Sequence, residues 1–360
     1  MPLAANFRRN AWLVVALLWV TACLNYLDRL MITTMRSSLM ETIPMTEAQF
    51  GLLTTVVLVV YGLGSPFAGY FADKFQRSYV IVGSLLAWSI VTGLTAYAKT
   101  YDQLLALRAL LALSQVAAVP ASVALVVDYH RGSTRSLASG LLLSGAMAGA
   151  ALSGLGGWIA SNSSWGYAHQ LFGIIGAAYA IALLFLLRDP EVEPIAVPAG
   201  QTAPAPVRLG EAFRSLFTNR GYLLMIGYSC VLGVVAWSVV GWMPTYMKEQ
   251  YSLTQGAAGM YTTLCVNIAA LLGLIIGGKW ADRWSRRNER ARILVPMIGL
   301  LLAAPGVVLL IKAPVLGLAL TGLAMYGLFR YFSDANMMPV LCMLVDARYR
   351  ATSWGVASLF

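Results

Sequence analysis

Long apolar runs, separated by short polar turns, follow one another from Ala11 almost to the end of the chain. They predict ten helices: Ala11–Met35, Glu47–Phe71, Tyr79–Ala98, Gln103–Val127, Leu137–Ala160, Tyr167–Leu187, Tyr222–Met247, Gln255–Trp280, Ile293–Ile311 and Val315–Val345. At about 1.5 Å per residue, each is long enough to cross a hydrocarbon core of about 30 Å. After the sixth run the pattern changes. Arg188 to Arg220 is polar and rich in proline and alanine, which predicts a linker. It ends in an amphipathic piece around Leu209–Phe217, suited to the membrane surface. The predicted organisation is an N-terminal six-helix bundle (1–187), a cytoplasmic linker (188–220) and an incomplete C-terminal bundle (221–360). The stretch after Arg350 reads as the start of an eleventh helix, so a truncated reading frame or an engineered boundary is expected.

Composition narrows the class. Apolar residues make up 59% of the chain and charged residues 11%, far below the share of about 25% in soluble domains. The chain is therefore read as an all-α polytopic membrane protein. The net charge of +10 lies in the short turns, so it reads as positive-inside topology rather than nucleic-acid binding. Placing the N-terminus in the cytoplasm puts seventeen basic turn residues inside and four (Arg36, Lys99, Lys248, Lys312) outside. Val20-Thr21-Ala22-Cys23 looks like a lipoprotein cleavage box, but the apolar pattern runs on to Met35, which predicts a retained first helix. The four cysteines lie in apolar runs and form no disulfide or metal pattern; no cofactor is expected.

A nonapeptide occurs twice. Gly69-Tyr-Phe-Ala-Asp-Lys-Phe-Gln-Arg77 matches Gly278-Lys-Trp-Ala-Asp-Arg-Trp-Ser-Arg286 at a constant offset of 209. Gly69, Asp73, Lys74 and Arg77 correspond to Gly278, Asp282, Arg283 and Arg286, each set in a turn between two apolar runs. A long-period repeat in an apolar chain marks a transporter built of two homologous halves. The glycine permits close helix approach, the aspartate can cap a helix, and the basic residues suit lipid phosphates. The pair resembles the loop signature of the major facilitator superfamily, found between helices 2 and 3 and again between helices 8 and 9. That resemblance implies the superfamily's fold of two pseudo-symmetric six-helix halves, working by alternating access with the loop aspartates as switch residues.

Charges inside apolar helices are costly and mark function by default. Asp28, Arg29, Arg108, Arg330 and Asp334 stand out, the last two sharing a face at i, i+4. They read either as structural salt bridges or as an anion site with a proton-coupling network. Asn25-Tyr-Leu-Asp-Arg29 resembles the first-helix signature of two groups, the anion:cation symporters and the spinster-like transporters. Arg108-Ala-Leu110 and Trp242-Met-Pro-Thr-Tyr246 support the likeness. It implies a small organic anion, plausibly a sugar acid, moved with protons. Arg29 and Arg108 would hold the carboxylate, and Asp28, with Asp334 and Arg330, would couple protons. Both groups carry a glutamate two turns after the helix 4 arginine. Gln115 stands there instead, on the predicted face of Arg108, and cannot titrate. Tyr61, Trp237, Tyr246 and Asn267 are softer cavity candidates. The expected partners are a small-molecule substrate, protons and lipids, for a monomer in the inner membrane. The alternatives are a spinster-like carrier of lysolipids or amphiphiles, and a non-transporting sensor or inactive fragment.

Overall fold

The structure, a computed structural model, describes residues 2–130, 134–190, 209–253 and 255–358. Side chains 1–10, 209, 237, 240–242, 244, 245, 248, 255–260 and 263 are outside the description. The predicted linker therefore falls mostly outside the described residues.

The described chain is helical throughout, with no strand. Long helices are α1 (Pro2–Thr34), α3 (Glu47–Lys74), α4 (Arg77–Thr95), α9 (Trp165–Leu186), α11 (Arg220–Gln250), α12 (Gln255–Ser285) and α13 (Ala291–Lys312). A short α2 (Arg36–Thr42), absent from the apolar pattern, follows α1, and α10 (Leu209–Thr218) occupies the predicted amphipathic piece. Three predicted helices each form as two segments. The fourth is α5 (Tyr101–Gln115) with α6 (Ala118–Tyr129), the fifth α7 (Arg135–Leu152) with α8 (Gly154–Asn162), and the tenth α14 (Leu316–Arg330) with α15 (Phe332–Leu344). A turn at Ala347–Tyr349 leads into α16 (Arg350–Ala357). Pro120 lacks the N–H that would close the helix onto the Val116 carbonyl, which accounts for the first break. Ser153 and the Gly154, Gly156 and Gly157 cluster sit at the second. No proline lies near the third, at Tyr331.

Among the described residues, eight helices are long and apolar enough to cross a membrane, counting residues 101–129 and 135–162 as one span each. The tenth predicted span is divided at Tyr331, so neither half reaches span length alone. Outward faces carry large apolar side chains such as Phe185, Leu224 and Ile174, as a lipid-facing surface requires.

The helices gather into two compact units. The first comprises Met1–Tyr129, Gly145–Thr218 and Val345–Leu359; the second comprises His130–Ser144 and Asn219–Leu344. Thus the first part of α7 groups with the later helices, and α16 with the earlier ones. In the first unit, Leu27, Met31 and Ile32 of α1, with Met35 just after it, pack with Leu53, Leu104 and Phe172. In the second, Val266, Ala303, Leu310, Leu323 and Tyr326 form the corresponding core.

Candidate functional site

The first unit gathers a set of polar side chains around the last third of α1. Asn25 lies one turn before the adjacent Asp28 and Arg29, and these three meet Tyr61 on α3, Trp88 and Thr92 on α4, and Arg108 and Gln115 on α5. Arg29 and Asp28 are neighbours in sequence with separate surroundings. The half-buried Arg29 guanidinium lies 4.2 Å from the centre of the Tyr61 ring and 5.1 Å from that of Tyr26. Its Nε donates to Gln115 Oε1 at 3.4 Å and an Nη donates to Asn25 Oδ1 at 3.4 Å. Among the described residues it has no carboxylate partner. Asp28 is buried and accepts from Thr92 Oγ1 at 3.3 Å, while its other oxygen has no hydrogen-bond partner.

Arg108, expected beside Arg29 as a carboxylate ligand, is 2% exposed. It donates to two main-chain carbonyls, Leu53 at 3.2 Å and Arg29 at 2.9 Å, and its remaining Nη is unpartnered. Gln115 meets Arg29, not Arg108, and also donates to the Asn25 carbonyl at 3.2 Å. The seven-residue spacing predicted a shared face on α5. From that face each long side chain reaches across to α1 for its own partner. Thr92, Trp88 and the Leu53 carbonyl belong to this cluster although no charge marked them in the sequence.

The repeated loops have one geometry. In the first unit, Asp73 accepts the N–H groups of Ala351 and Thr352, at 3.0 and 2.7 Å, and the Thr352 hydroxyl at 2.7 Å. In the second, Asp282 accepts the N–H groups of Ser136 and Leu137, at 3.1 and 2.8 Å. Both carboxylates thus take the second and third N–H groups of a helix that opens with an arginine, Arg350 or Arg135. Those groups have no intrahelical acceptor, and the positive helix end favours an anion. The glycines allow this approach. A Cβ on Gly69 would lie 2.8 Å from Thr352 Cα, and one on Gly278 would lie 2.9 Å from Leu137 Cα.

The surrounding charges differ between the two copies. Arg77 pairs with Asp73 and with Asp128, and Asp128 also receives Arg350 at 2.9 Å. Asp282 has Arg292 at 3.5 Å, while Arg283 and Arg286 are exposed. Lys74 lies 5.9 Å from the Tyr70 ring centre. One further cap was not foreseen. Asp189, after α9, accepts the N–H and hydroxyl of Ser78 at 3.2 and 2.7 Å, at the start of α4. The Asp-Pro after the sixth apolar run was its only sequence signal.

In the second unit, Arg330 and Asp334 form an ion pair at the break between α14 and α15. The Tyr246 hydroxyl donates to the Ile311 carbonyl at 2.9 Å. Asn267 is half-buried on α12, and the Trp237 side chain lies outside the described residues. Among the described residues no cluster of side chains suits a metal ion.

The described helices thus carry a carboxylate cap in each of two repeated loops and a cation on the first helix. The family model for the Major Facilitator Superfamily matches residues 18–360, and the chain belongs to that superfamily, whose members are transporters and not enzymes. It is similar to protein spinster of Drosophila melanogaster, 25% identical over 310 residues, with 82% of this chain and 50% of that protein covered. It is similar to the D-galactonate transporter of Escherichia coli O6:H1, 23% identical, covering 79% of this chain and 70% of that one. The hexuronate transporter of Bacillus subtilis is 21% identical, with 92% and 82% covered. Thus the chain spans half the length of the fly protein. Among solved structures, a bacterial homolog to the human lysosomal transporter spinster aligns with a TM-score of 0.61 at 21% identity, covering 97% of this chain and 80% of that one. The human organic anion transporter MFSD10 aligns with 0.67 at 16%, covering 96% and 89%. These likenesses establish the fold.

Proposed function

We propose that the chain is a secondary transporter of a small organic anion of the sugar-acid class, with Arg29 as the group that binds the carboxylate. The observation that carries this reading is the state of Arg29. It is a half-buried cation in a membrane helix, held between two tyrosine rings and an amide, with no carboxylate to neutralise it among the described residues. A guanidinium so placed offers parallel N–H donors to an incoming carboxylate. Arg108 supports the site from behind by fixing the main chain at Arg29. A coupling proton would sit on Asp28, which is buried with one oxygen unpartnered. Relatives named for galactonate and hexuronate favour the anion reading. The basic turns favour a cytoplasmic N-terminus in the inner membrane, and Asp73 and Asp282 would act as switch residues.

The test is uptake of labelled gluconate and glucuronate into proteoliposomes, with and without a proton gradient. Arg29→Gln should abolish uptake and binding of the acid, and Arg29→Lys should restore part. Equal uptake by Arg29→Gln would overturn the reading. The spinster relatives favour a second one, a carrier of lysolipids or other amphiphiles. It would be supported if lysophospholipid, and neither acid, were moved.

A further inference from the structure

The second unit holds a polar cluster that the anion site does not use. The span over residues 316–344 is broken at Tyr331, and Arg330 and Asp334 pair across the break. The Arg330 guanidinium also lies 4.7 Å from the centre of the Tyr331 ring. From α11, the Tyr228 hydroxyl meets Ser333 Oγ at 2.6 Å. Arg330 and Asp334 are the charged groups that face both the Tyr228 and the Tyr326 hydroxyls. The break is held tightly. A Cβ on Gly277 would lie 2.8 Å from Phe332 Cα, and one on Gly299 would lie 2.9 Å from Phe332 Cβ. Side chains on such a support need little ordering when a ligand arrives.

Two buried polar atoms in this cluster, Tyr326 Oη and Arg330 Nε, make no well-formed hydrogen bond, although the Arg330 guanidinium lies beside the Tyr326 hydroxyl. A buried donor left unmade costs about 1–3 kcal/mol, so such groups mark a place where something else bonds. Asp334 is a quarter exposed, and only one of its oxygens takes the Arg330 N–H. The site thus offers donors and an acceptor side by side, while the guanidinium and carboxylate cancel each other's charge. A carboxylate ligand would be repelled by Asp334, and an ammonium by Arg330. A hydroxyl is both donor and acceptor, so adjacent hydroxyls can satisfy both sides without net charge. A partly exposed ion pair within a span also faces water or protein rather than lipid.

We propose that Tyr326, Arg330 and Asp334, with the Tyr228–Ser333 hydroxyl pair, form a binding site for an uncharged group bearing adjacent hydroxyls. All of these residues belong to the second unit, and the assignment stands whether or not Arg29 binds an anion. The test uses the full chain in detergent with tritiated sorbitol as probe, competed by unlabelled xylitol or glutarate. Sorbitol should bind saturably and be displaced by xylitol but not by glutarate. Tyr326→Phe and Asp334→Asn should each weaken binding tenfold or more. Tyr326→Phe removes a single oxygen, so it and Tyr228→Phe carry the test if Asp334→Asn does not elute as one symmetric peak. Absence of saturable sorbitol binding, unchanged affinity in Tyr326→Phe, or stronger displacement by glutarate than by xylitol would overturn the proposal.

Discussion

Gln115 Oε1 accepts a hydrogen bond from Arg29 Nε at 3.4 Å, while Gln115 Nε2 holds the Asn25 carbonyl at 3.2 Å. The amide orients the guanidinium without neutralising it. A glutamate in its place would keep the reach and add a charge. At high pH the new carboxylate would be ionised, pair with Arg29 and compete with an anionic ligand. At low pH it would be protonated and behave as the amide does. Affinity for gluconate, measured in detergent across pH, should be flatter for Gln115 than for Gln115→Glu. The variant should weaken about tenfold at its alkaline end, equivalent to about 1.4 kcal/mol. Parallel profiles would show that Gln115 and Arg29 do not share a ligand site.

Asp73 and Asp282 cap equivalent positions, so their amide variants should behave alike in kind. Replacing a charged cap by a neutral amide loses the attraction of the charge to the helix end, about 0.3–1 kcal/mol, and one of two acceptor oxygens. Asp73 accepts one more hydroxyl than Asp282, from Thr352. Asp73→Asn should therefore lower the thermal midpoint more than Asp282→Asn. It should also slow uptake several-fold while binding in detergent stays within twofold. A loss of binding as large as the loss of uptake would contradict a switch role.

The same substitution at two glycines of α3 should have opposite signs. Alanine is favoured over glycine in a helix by about 0.5–1 kcal/mol. At Gly51 a Cβ meets nothing within 4 Å, so Gly51→Ala should be neutral or stabilising. At Gly69 it would lie 2.8 Å from both Ala351 C and Thr352 Cα, which are main chain and cannot turn aside. Overpacking costs about 1–3 kcal/mol and outweighs the propensity gain. Melting curves of the two variants decide it; a stabilised Gly69→Ala would refute the close contact.

Topology has a direct check in a cysteine-free background. Asn288 and Lys99 are both exposed, one in each class of turn. With the N-terminus inside, Lys99→Cys should react with an impermeant maleimide added to intact cells, and Asn288→Cys should react only after permeabilisation. The reverse pattern would invert the orientation.

The membrane class, the family and the repeat were legible in the residues themselves. Apolar run length sets what can cross a bilayer, and a duplicated turn needs no partner to be seen. The helix starts that the loop aspartates cap, after Arg350 and Arg135, were not legible. Asp73 and Ala351 are far apart in the chain, and no local pattern says which helix end a carboxylate will meet. The divided spans at Ser153 and Tyr331 escaped because hydropathy is blind to a single lost hydrogen bond inside an apolar run. At the candidate site, sequence placed Asp28, Arg29, Arg108 and Gln115 on two helices and stopped there. Periodicity reports which residues share a face of their own helix. Which side chain a guanidinium finds across the gap depends on packing, and packing turned Arg108 toward main-chain carbonyls and left Arg29 to Gln115.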